Sequence, residues 1–370
     1  MNGSPDGSET DRRWMARALE LARRGLYSAA PNPRVGCVIA RGDTLLGEGF
    51  HARTGGPHAE IEALAAAGEA ARGATAYLNL EPCSHHGRTP PCAEALVTAG
   101  VARVVAAMAD PNPQVAGRGF AVLRAAGIET ASGLLAAEAA ALNAGFVSRM
   151  TRGRPRVTLK MAASLDGRTA MASGESQWIT GPEARADVQR LRGESCAIVT
   201  GSGTVRMDDP RLDLRLDEAL TRGRQPLRVI VDSRLQTPPG ARILASPGHA
   251  LVCVPDAAAP GAAALRSAGA EVAQLPRAAK GLDLEALLEL LAARECNEVL
   301  VETGSRLAGA FLAAGLVDRL VVYLAPSLLG SEAQGMFNLP GLTRLADRLQ
   351  WRFTDVSPLG DDLRITAVPG

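Results

Sequence analysis

A chain of 370 residues has room for two ordinary domains, and a 46% apolar composition can give each its own core. A formal net charge of +1 with no basic stripe argues against a protein that tracks nucleic acid or anionic lipid. No run of about 18 apolar residues is available to cross a bilayer. The polar start MNGSPDGSETD lacks a signal-peptide core, so residues 1–10 read as a disordered leader. Six cysteines in this length make no disulfide framework. Cys83 and Cys92 cluster with histidines, while Cys37, Cys196, Cys253 and Cys296 lie singly in apolar runs, which fits a reducing cytoplasm and one metal site.

From Asp11, DRRWMARALELARRG places Trp14, Ala18, Leu21 and Ala22 on one helical stripe. The two prolines of PNPRVG end it. VGCVIA and TLLGEGFH read as strands joined through Arg41, Gly42 and Asp43. A helix opens at PHAE and runs to about Arg72; TAYLNL is a strand, followed by the loop EPCSHHGRTPPC. CAEALVTAG, ARVVAAMAD and GRGFAVLRAAG then read as helix, strand and helix, giving an α/β domain over 11–150. MTRGRPR at 150–156 is a basic break containing Gly153 and Pro155. A second alternating series fills 151–370. Its strand candidates are RVTLKMAAS, CAIVTG, LRVIVD, ALVCVP, EVLVET and RLVVYLAP, and its helix candidates are PEARADVQRLR, LDLEALLELLAAR and SRLAGAFLAAG. No unit of the first half recurs in the second, so the two domains are unlike.

His58, Glu60, Cys83 and Cys92 are the chemistry of the first half. Zinc takes imidazole nitrogen and thiolate sulfur; four protein ligands make a closed structural site, and three leave a position for water, whose pKa falls to about 7. His58, Cys83 and Cys92 supply three. Glu60, in the same first helical turn as His58, can take a proton from that water and return it to a leaving nitrogen, which is hydrolytic deamination. Both sulfurs are expected near helix N-termini, which favours thiolate. Blander readings stand beside this one. His58 alone could be a cap, the cysteines could simply be buried, and His85 or His86 could close the site with a fourth ligand.

H-A-E followed by E-P-C resembles the zinc-dependent cytidine-deaminase superfamily, although that superfamily usually has P-C-x-x-C and here eight residues separate the cysteines. EPCSHHGRTPPC, with PNPRVGCVI before it and ADPNPQVAGRG after it, resembles the deaminase half of the bifunctional riboflavin-biosynthesis deaminase–reductases. The resemblance implies a pyrimidine substrate carrying a ribose phosphate. It makes Arg88 the basic residue of the loop and Asn32 and His51 pyrimidine contacts; Asn32 could equally shape a turn, and Arg88 could be a surface charge.

The second half has no clean G-x-G-x-x-G. GSGTVR at 201–206 has arginine where the third glycine belongs, and VETGSRLAGAF at 301–311 offers a strand, a glycine turn and a helix start that favours phosphate. Lys160 lies within an apolar strand, where an edge position in water is the ordinary alternative. Asp208 precedes Asp209 and a proline, and could cap or turn. Glu302 closes a strand at its carboxyl end, where open α/β sheets bind ligands. KMAASLDGRTA, SGESQWITG and TGSGTVRMDDPRLDLR resemble the reductase half of the same enzymes, whose fold is similar to dihydrofolate reductase.

The resemblance therefore implies a cytidine-deaminase-like α/β/α domain followed by a dihydrofolate-reductase-like α/β domain. NADP(H) contacts would be Ala162, Trp178, Thr204, Asp208, Ser233 and the run Gly304, Ser305, Arg306, Leu307, Ala308, Gly309, Ala310, although Trp178 could be ordinary core. Substrate contacts would be Ser176, Arg192, Leu212, Arg215 and Glu302, the arginines suiting a phosphate. Lys160, Asp208 and Glu302 join Glu60 as catalytic candidates, Lys160 stabilising the opened sugar or its imine. The implied chemistry is zinc-dependent deamination of a diaminopyrimidinone ribosylamine 5′-phosphate. Reduction of its ribosyl group to ribityl by NADPH follows. A homo-oligomer, dimer or larger, is implied as well. Two other classes compete. A nucleic-acid deaminase is disfavoured by near-neutral charge and twelve aromatic residues. A ligand-sensing second half is disfavoured by Lys160, Asp208 and Glu302.

Overall fold

Helix α1 (Glu9–Arg23) begins ahead of its apolar stripe. The Ser8 hydroxyl accepts the Asp11 N–H at 3.1 Å, and the Asp11 carboxylate accepts the Ser8 N–H at 3.4 Å, a reciprocal cap. Glu9 and Thr10 are thus helical, which corrects the reading of all of 1–10 as disordered. The computed structural model describes residues 8–84, 91–113 and 115–370. Two units divide the chain, one ending at Gly153 and the other spanning Arg154–Gly370.

In the first unit, β1 (Gly36–Arg41) and β2 (Thr44–Phe50) are followed by α2 (Ala59–Ala67), β3 (Thr75–Leu78), α3 (Cys92–Ala99), β4 (Arg103–Ala106), α4 (Arg118–Ala125), β5 (Glu129–Ser132), α5 (Ala136–Leu142) and α6 (Ala144–Arg152). The sheet order is β2-β1-β3-β4-β5, with β3, β4 and β5 parallel and the first two pairings antiparallel. Helices cover both faces. Val38, Ala40, Tyr77 and Val105 pack with α1 residues Trp14, Met15 and Ala18. Cys37, Ile39, Ala76 and Val104 pack with Ala59 and Ala63 of α2 and Leu96 of α3. β1 is accordingly apolar at almost every position, as a strand covered on both sides must be. The helix expected to reach Arg72 ends at Ala67 and continues as a 3-10 turn over Gly68–Ala71. Met150, Thr151 and Arg152 belong to α6, so the break expected over 150–156 narrows to Gly153, at φ +69°, and the residues after it.

Close backbone approach sets where α2 lies. A Cβ on Gly49 would sit 2.7 Å from the Ala59 carbonyl oxygen and 2.5 Å from the Glu62 Cβ; one on Gly47 would sit 2.4 Å from the Ala63 carbonyl oxygen. Glycine on β2 therefore lets the helix carrying Glu60 lie directly on the strand. At the opposite face Asp11, 6% exposed, accepts the Tyr77 hydroxyl at 2.7 Å and the Arg103 guanidinium at 2.8 and 3.1 Å. Burial pushes its carboxyl up, and the Arg103, Tyr77 and Ser8 contacts outweigh burial and hold it below its ordinary value.

The second unit runs β6 (Arg156–Ser164), β7 (Arg168–Ala170), α7 (Pro182–Glu194), β8 (Ala197–Gly201), α8 (Ser202–Asp208), α9 (Glu218–Thr221), β9 (Leu227–Val231), α10 (Arg242–Ala245), β10 (Ala250–Val254), α11 (Pro260–Ser267), β11 (Glu271–Gln274), β12 (Arg277–Ala278), β13 (Gly281–Leu282), α12 (Leu284–Ala293), β14 (Glu298–Glu302), α13 (Ser305–Ala313), β15 (Arg319–Ala325), β16 (Gln334–Gly335), β17 (Trp351–Leu359) and β18 (Asp362–Pro369). Its main sheet has the order β11-β10-β9-β8-β14-β6-β15-β18-β17. The first seven are parallel, and β18 and β17 close it antiparallel. β6 thus lies inside the sheet between β14 and β15, which overturns the edge alternative for Lys160. No helix among the described residues is long and apolar enough to cross a membrane.

Two outcomes check this packing. Gly49→Ala overpacks the β2–α2 contact at a cost of about 1–3 kcal/mol; the measurement is thermal unfolding, in which the first unit's midpoint should fall and the second unit's stay. For Asp11, a carboxyl depressed in the folded state stabilises above its unfolded value and loses that contribution as pH falls through the folded one. Asp11→Asn should therefore lower the midpoint of thermal unfolding of the first unit at pH 7, by the equivalent of about 1–3 kcal/mol. The gap from the unaltered chain should narrow below about pH 4.

Candidate active sites

The end of β3 and the start of α2 bring the first set of residues together. His58 is the residue before α2, extended at φ −75° and ψ 160°, and its side chain makes no cap bond, so the capping alternative does not describe it. Its Nδ1 lies 3.2 Å from Cys92 Sγ and 3.7 Å from Cys83 Sγ, and all three donor atoms fall within 4.8 Å of one another. Cys92 is the first residue of α3, and its N–H points at Cys83 Sγ at 3.3 Å. Ligands of a tetrahedral zinc lie roughly 3.5 Å apart, so this donor set fits the metal. Cys83 is drawn toward thiolate by Cys92, with His58 assisting and burial opposing. Its sulfur in turn raises His58, against burial.

Glu60 is 4% exposed in the first turn of α2. Burial pushes its carboxyl up to about 7, and the Cys83 sulfur adds to the rise. His51, also buried, has Nδ1 2.9 Å from the Pro57 carbonyl oxygen, so that nitrogen carries the proton. Nε2 then accepts from Asn32 Nδ2 at 3.0 Å, which orients the Asn32 amide. The His51 and His58 rings meet edge to face, 5.3 Å between centroids. Burial and the neighbouring His58 hold His51 below its ordinary value, hence neutral. Asn32 and His51 thus stand beside the three-donor cluster. Arg88, His85 and His86 lie outside the described residues.

In the second unit Lys160 and Glu302 are register partners on β6 and β14. Lys160 Nζ is 3.9 Å from the Glu302 carboxylate, which also receives the Arg192 fork at 2.6 and 3.1 Å. Burial lowers Lys160, Arg192 adding and Glu302 opposing. Burial would raise Glu302, but Arg192, Lys160 and Arg215 hold it below its ordinary value. Asp213, buried, holds Arg211 at 3.1 Å and Arg215 at 3.7 Å, and its carbonyl accepts from Arg192 at 3.1 Å. Ser176 donates to Asp208 at 3.2 Å, and the Gly304 N–H donates to Thr204 at 3.1 Å, joining the starts of α8 and α13. Leu212 is buried at φ +48°, and Ser233 follows Asp232, whose carboxylate accepts the Thr237 N–H at 2.7 Å.

Residues 155–365 match the RibD C-terminal domain, and residues 8–108 match the cytidine and deoxycytidylate deaminase zinc-binding region. The riboflavin biosynthesis protein RibD of Escherichia coli (strain K12) is 51% identical, across 95% of this chain and 98% of its own length. The chain belongs to the RibD family. The solved structure of Acinetobacter baumannii RibD, form 1, has a TM-score of 0.91 at 47% identity, covering 98% of this chain and 99% of that one. A diaminohydroxyphosphoribosylaminopyrimidine deaminase/5-amino-6-(5-phosphoribosylamino)uracil reductase from Thermotoga maritima has a TM-score of 0.85 at 33% identity, covering 98% and 99%. A RibD chain joins a zinc-dependent deaminase to a reductase that uses NADPH.

Within this RibD chain some side chains differ from the sequence expectation. Arg192 is buried and its guanidinium is taken up by Glu302 and the Asp213 carbonyl, so it orders the site internally. Arg215, two-thirds exposed, is the arginine that faces outward. Trp178 is 71% exposed beneath the Arg185 guanidinium, which removes its core alternative. In the run Gly304 to Ala310, Ala308 packs into the core, and a Cβ on Gly309 would meet the Asn338 carbonyl oxygen at 1.9 Å. Gly304 and Arg306 are exposed and Ser305 half-buried at the helix start, the part suited to a phosphate. Ala162, two residues beyond Lys160 on β6, shares its side of the sheet. Asp213 escaped the sequence reading, although an acid between arginines in RLDLR was a readable sign.

Arg192→Lys keeps a charge and loses the fork. The loss of charge-assisted bonds worth about 1.5–3 kcal/mol should slow reduction by roughly 10- to 100-fold, read as NADPH oxidation, with ammonia release unchanged.

Proposed function

We propose that this chain carries out two consecutive steps of riboflavin biosynthesis on one pyrimidine ribose phosphate. The first is hydrolytic deamination of 2,5-diamino-6-(5-phosphoribosylamino)pyrimidin-4(3H)-one: water replaces the amino group, and ammonia leaves. The second is reduction of the ribosyl group of the resulting 5-amino-6-(5-phosphoribosylamino)uracil to ribityl. The observation that carries the reading is the three-donor cluster of His58, Cys83 and Cys92 with a buried carboxyl, Glu60, two residues from His58 in the same helical turn.

His58, Cys83 and Cys92 would hold zinc, which when bound supplies a water acidic enough to act as hydroxide near neutral pH. Glu60 takes the proton and returns it to the leaving nitrogen, a task suited to a carboxyl brought up to about 7. Asn32, fixed by neutral His51, turns its amide oxygen toward the pyrimidine's N–H groups. Arg88 would take the phosphate in this first reaction.

In the second reaction NADPH supplies the hydride. Lys160, poised by burial to give up a proton more readily than an ordinary lysine, acts on the sugar oxygen or imine as charge shifts there. Glu302 keeps that ammonium oriented, and Arg192 keeps Glu302 ionised. Arg215 takes the substrate phosphate; Ser176 and Leu212 line the substrate. Asp208, Thr204, Ala162, Trp178, Ser233 and the start of α13 take the cofactor. The balance of charge and the few aromatics support small-molecule substrates and no nucleic acid. Six free thiols support a reducing cytoplasm. The exposed Phe353 and Val356 of β17, a strand at the end of the sheet, support a homo-oligomer.

The test is a coupled assay with the pyrimidine phosphate, following ammonia and NADPH separately. Glu60→Gln should slow ammonia release by about 10²- to 10⁴-fold and leave reduction of supplied aminouracil intact; Lys160→Ala should do the reverse. Removing metal with a chelator should reproduce the Glu60→Gln pattern. Ammonia release from metal-free protein, or one variant losing both reactions, would refute the assignment.

A further inference from the structure

The five residues Asn79 to Cys83 leave the end of β3 and cross the floor of the deaminase site. Two of them hold neighbouring walls. Asn79, fully buried, accepts the Gly36 N–H at 2.8 Å and donates to the Arg34 carbonyl at 2.8 Å, which fixes the loop bearing Asn32. Glu81, 3% exposed, faces the other way. Its Oε2 accepts the Asp110 N–H at 3.1 Å and the Gly117 N–H at 3.0 Å, and its Oε1 accepts the Phe120 N–H at 3.2 Å. Its own N–H donates to the Met108 carbonyl at 3.0 Å. One carboxylate thus clamps the segment from the end of β4 to the first turn of α4, two residues before Cys83. The fit is tight: a Cβ on Gly119 would lie 2.1 Å from the Pro82 carbonyl oxygen. On its other side Cys83 is held by α3, its carbonyl accepting the Ala93 N–H at 3.1 Å and its sulfur the Cys92 N–H at 3.3 Å.

We propose that Glu81 is a positioning residue of the deaminase: by clamping 108–120 it fixes the Pro82–Cys83 peptide and so the direction of the Cys83 sulfur. The carboxylate is needed because, among the described residues, the hydrogen-bond partners of both oxygens are N–H donors. An amide would turn an NH₂ toward one or two of them and leave those bonds unmade. The proposal rests on His58, Cys83 and Cys92 holding zinc, and groups that support metal ligands typically contribute about 10- to 100-fold to affinity or activity.

The experiment compares the full chain with Glu81→Gln, measuring zinc affinity by chelator competition, the absorption spectrum of the cobalt-substituted protein, and both reactions. Glu81→Gln should bind zinc about 10- to 100-fold more weakly, with an altered cobalt spectrum and a lower deaminase kcat. Its reductase rate, the internal sign of a folded chain, should be unchanged. Zinc affinity and cobalt spectrum equal to the unaltered chain would overturn the proposal, whatever the variant's thermal stability. Should Glu81→Gln lose both reactions, Gly119→Ala decides instead. It drives α4 off Pro82 and crowds Glu81 Oε1 at 3.2 Å, loosening the clamp while the carboxylate itself is kept, and unaltered metal binding in it would overturn the proposal. Absence of zinc binding in the unaltered chain would sink the deaminase reading itself, a result separable from failure of the variant alone.

Discussion

A charge taken out of water must be partnered or given up, and that constraint sorts the buried acids of this chain into different roles. Asp11 is partnered by Arg103 and Tyr77 and serves to tie α1 to β3 and β4. Glu302 is as deeply buried as Glu60, yet Arg192 grips both its oxygens and Lys160 stands on the next strand, so it stays ionised. Among the described residues no guanidinium or ammonium stands against Glu60; burial and the Cys83 sulfur act in the same direction and bring its carboxyl up to about 7. Two carboxylates in similar seclusion thereby acquire opposite habits, one a fixed anion and one a proton carrier.

Much of this was readable along the chain, where residue type and short spacing carry the message. The H-A-E and P-C signatures named the donor set because a metal restricts its ligands chemically. The strand RVTLKMAAS was legible from end to end because Val157, Leu159, Met161 and Ala163 recur at alternate positions, the period of a strand. The misses have physical causes too. The cap at Ser8 precedes the apolar stripe of α1, so the stripe understates the helix. α5, in AAEAAAL, has little amphipathic contrast, and β17 exposes most of its length, leaving no alternation to detect. Side-chain partnerships between distant segments were the least legible. The partners of Arg192 are of this kind, since only the fold brings Glu302 and Asp213 to it.

The two sites also depend on different kinds of precision. In the first unit the donors come from a helix start, a loop and another helix start, and their spacing is set by backbones in near contact at Gly49 and Gly119. A displacement of a few tenths of an ångström there moves a metal ligand. In the second unit Lys160 and Glu302 face each other because parallel strands β6 and β14 place them in register. Hydrogen-bonded ladders on both sides of β6 resist sliding, so that site is robust to small shifts and vulnerable to a change of charge.

This contrast bears on how one chain can host two chemistries on one molecule. On the proposed pair of reactions, the first alters the pyrimidine ring and the second alters the sugar, so the phosphate is the handle that neither changes. A handle need only be gripped, and an exposed guanidinium such as Arg215, held by a buried Asp213, can do that with its outer N–H groups while its inner side stays anchored. The groups that act on changing atoms must instead have their protonation state set by their surroundings, and they are the secluded ones: Glu60 beside the His58, Cys83 and Cys92 donors, and Lys160 against Glu302. Exposure and burial thus divide binding from chemistry residue by residue, and the division follows from the cost of moving charge out of water.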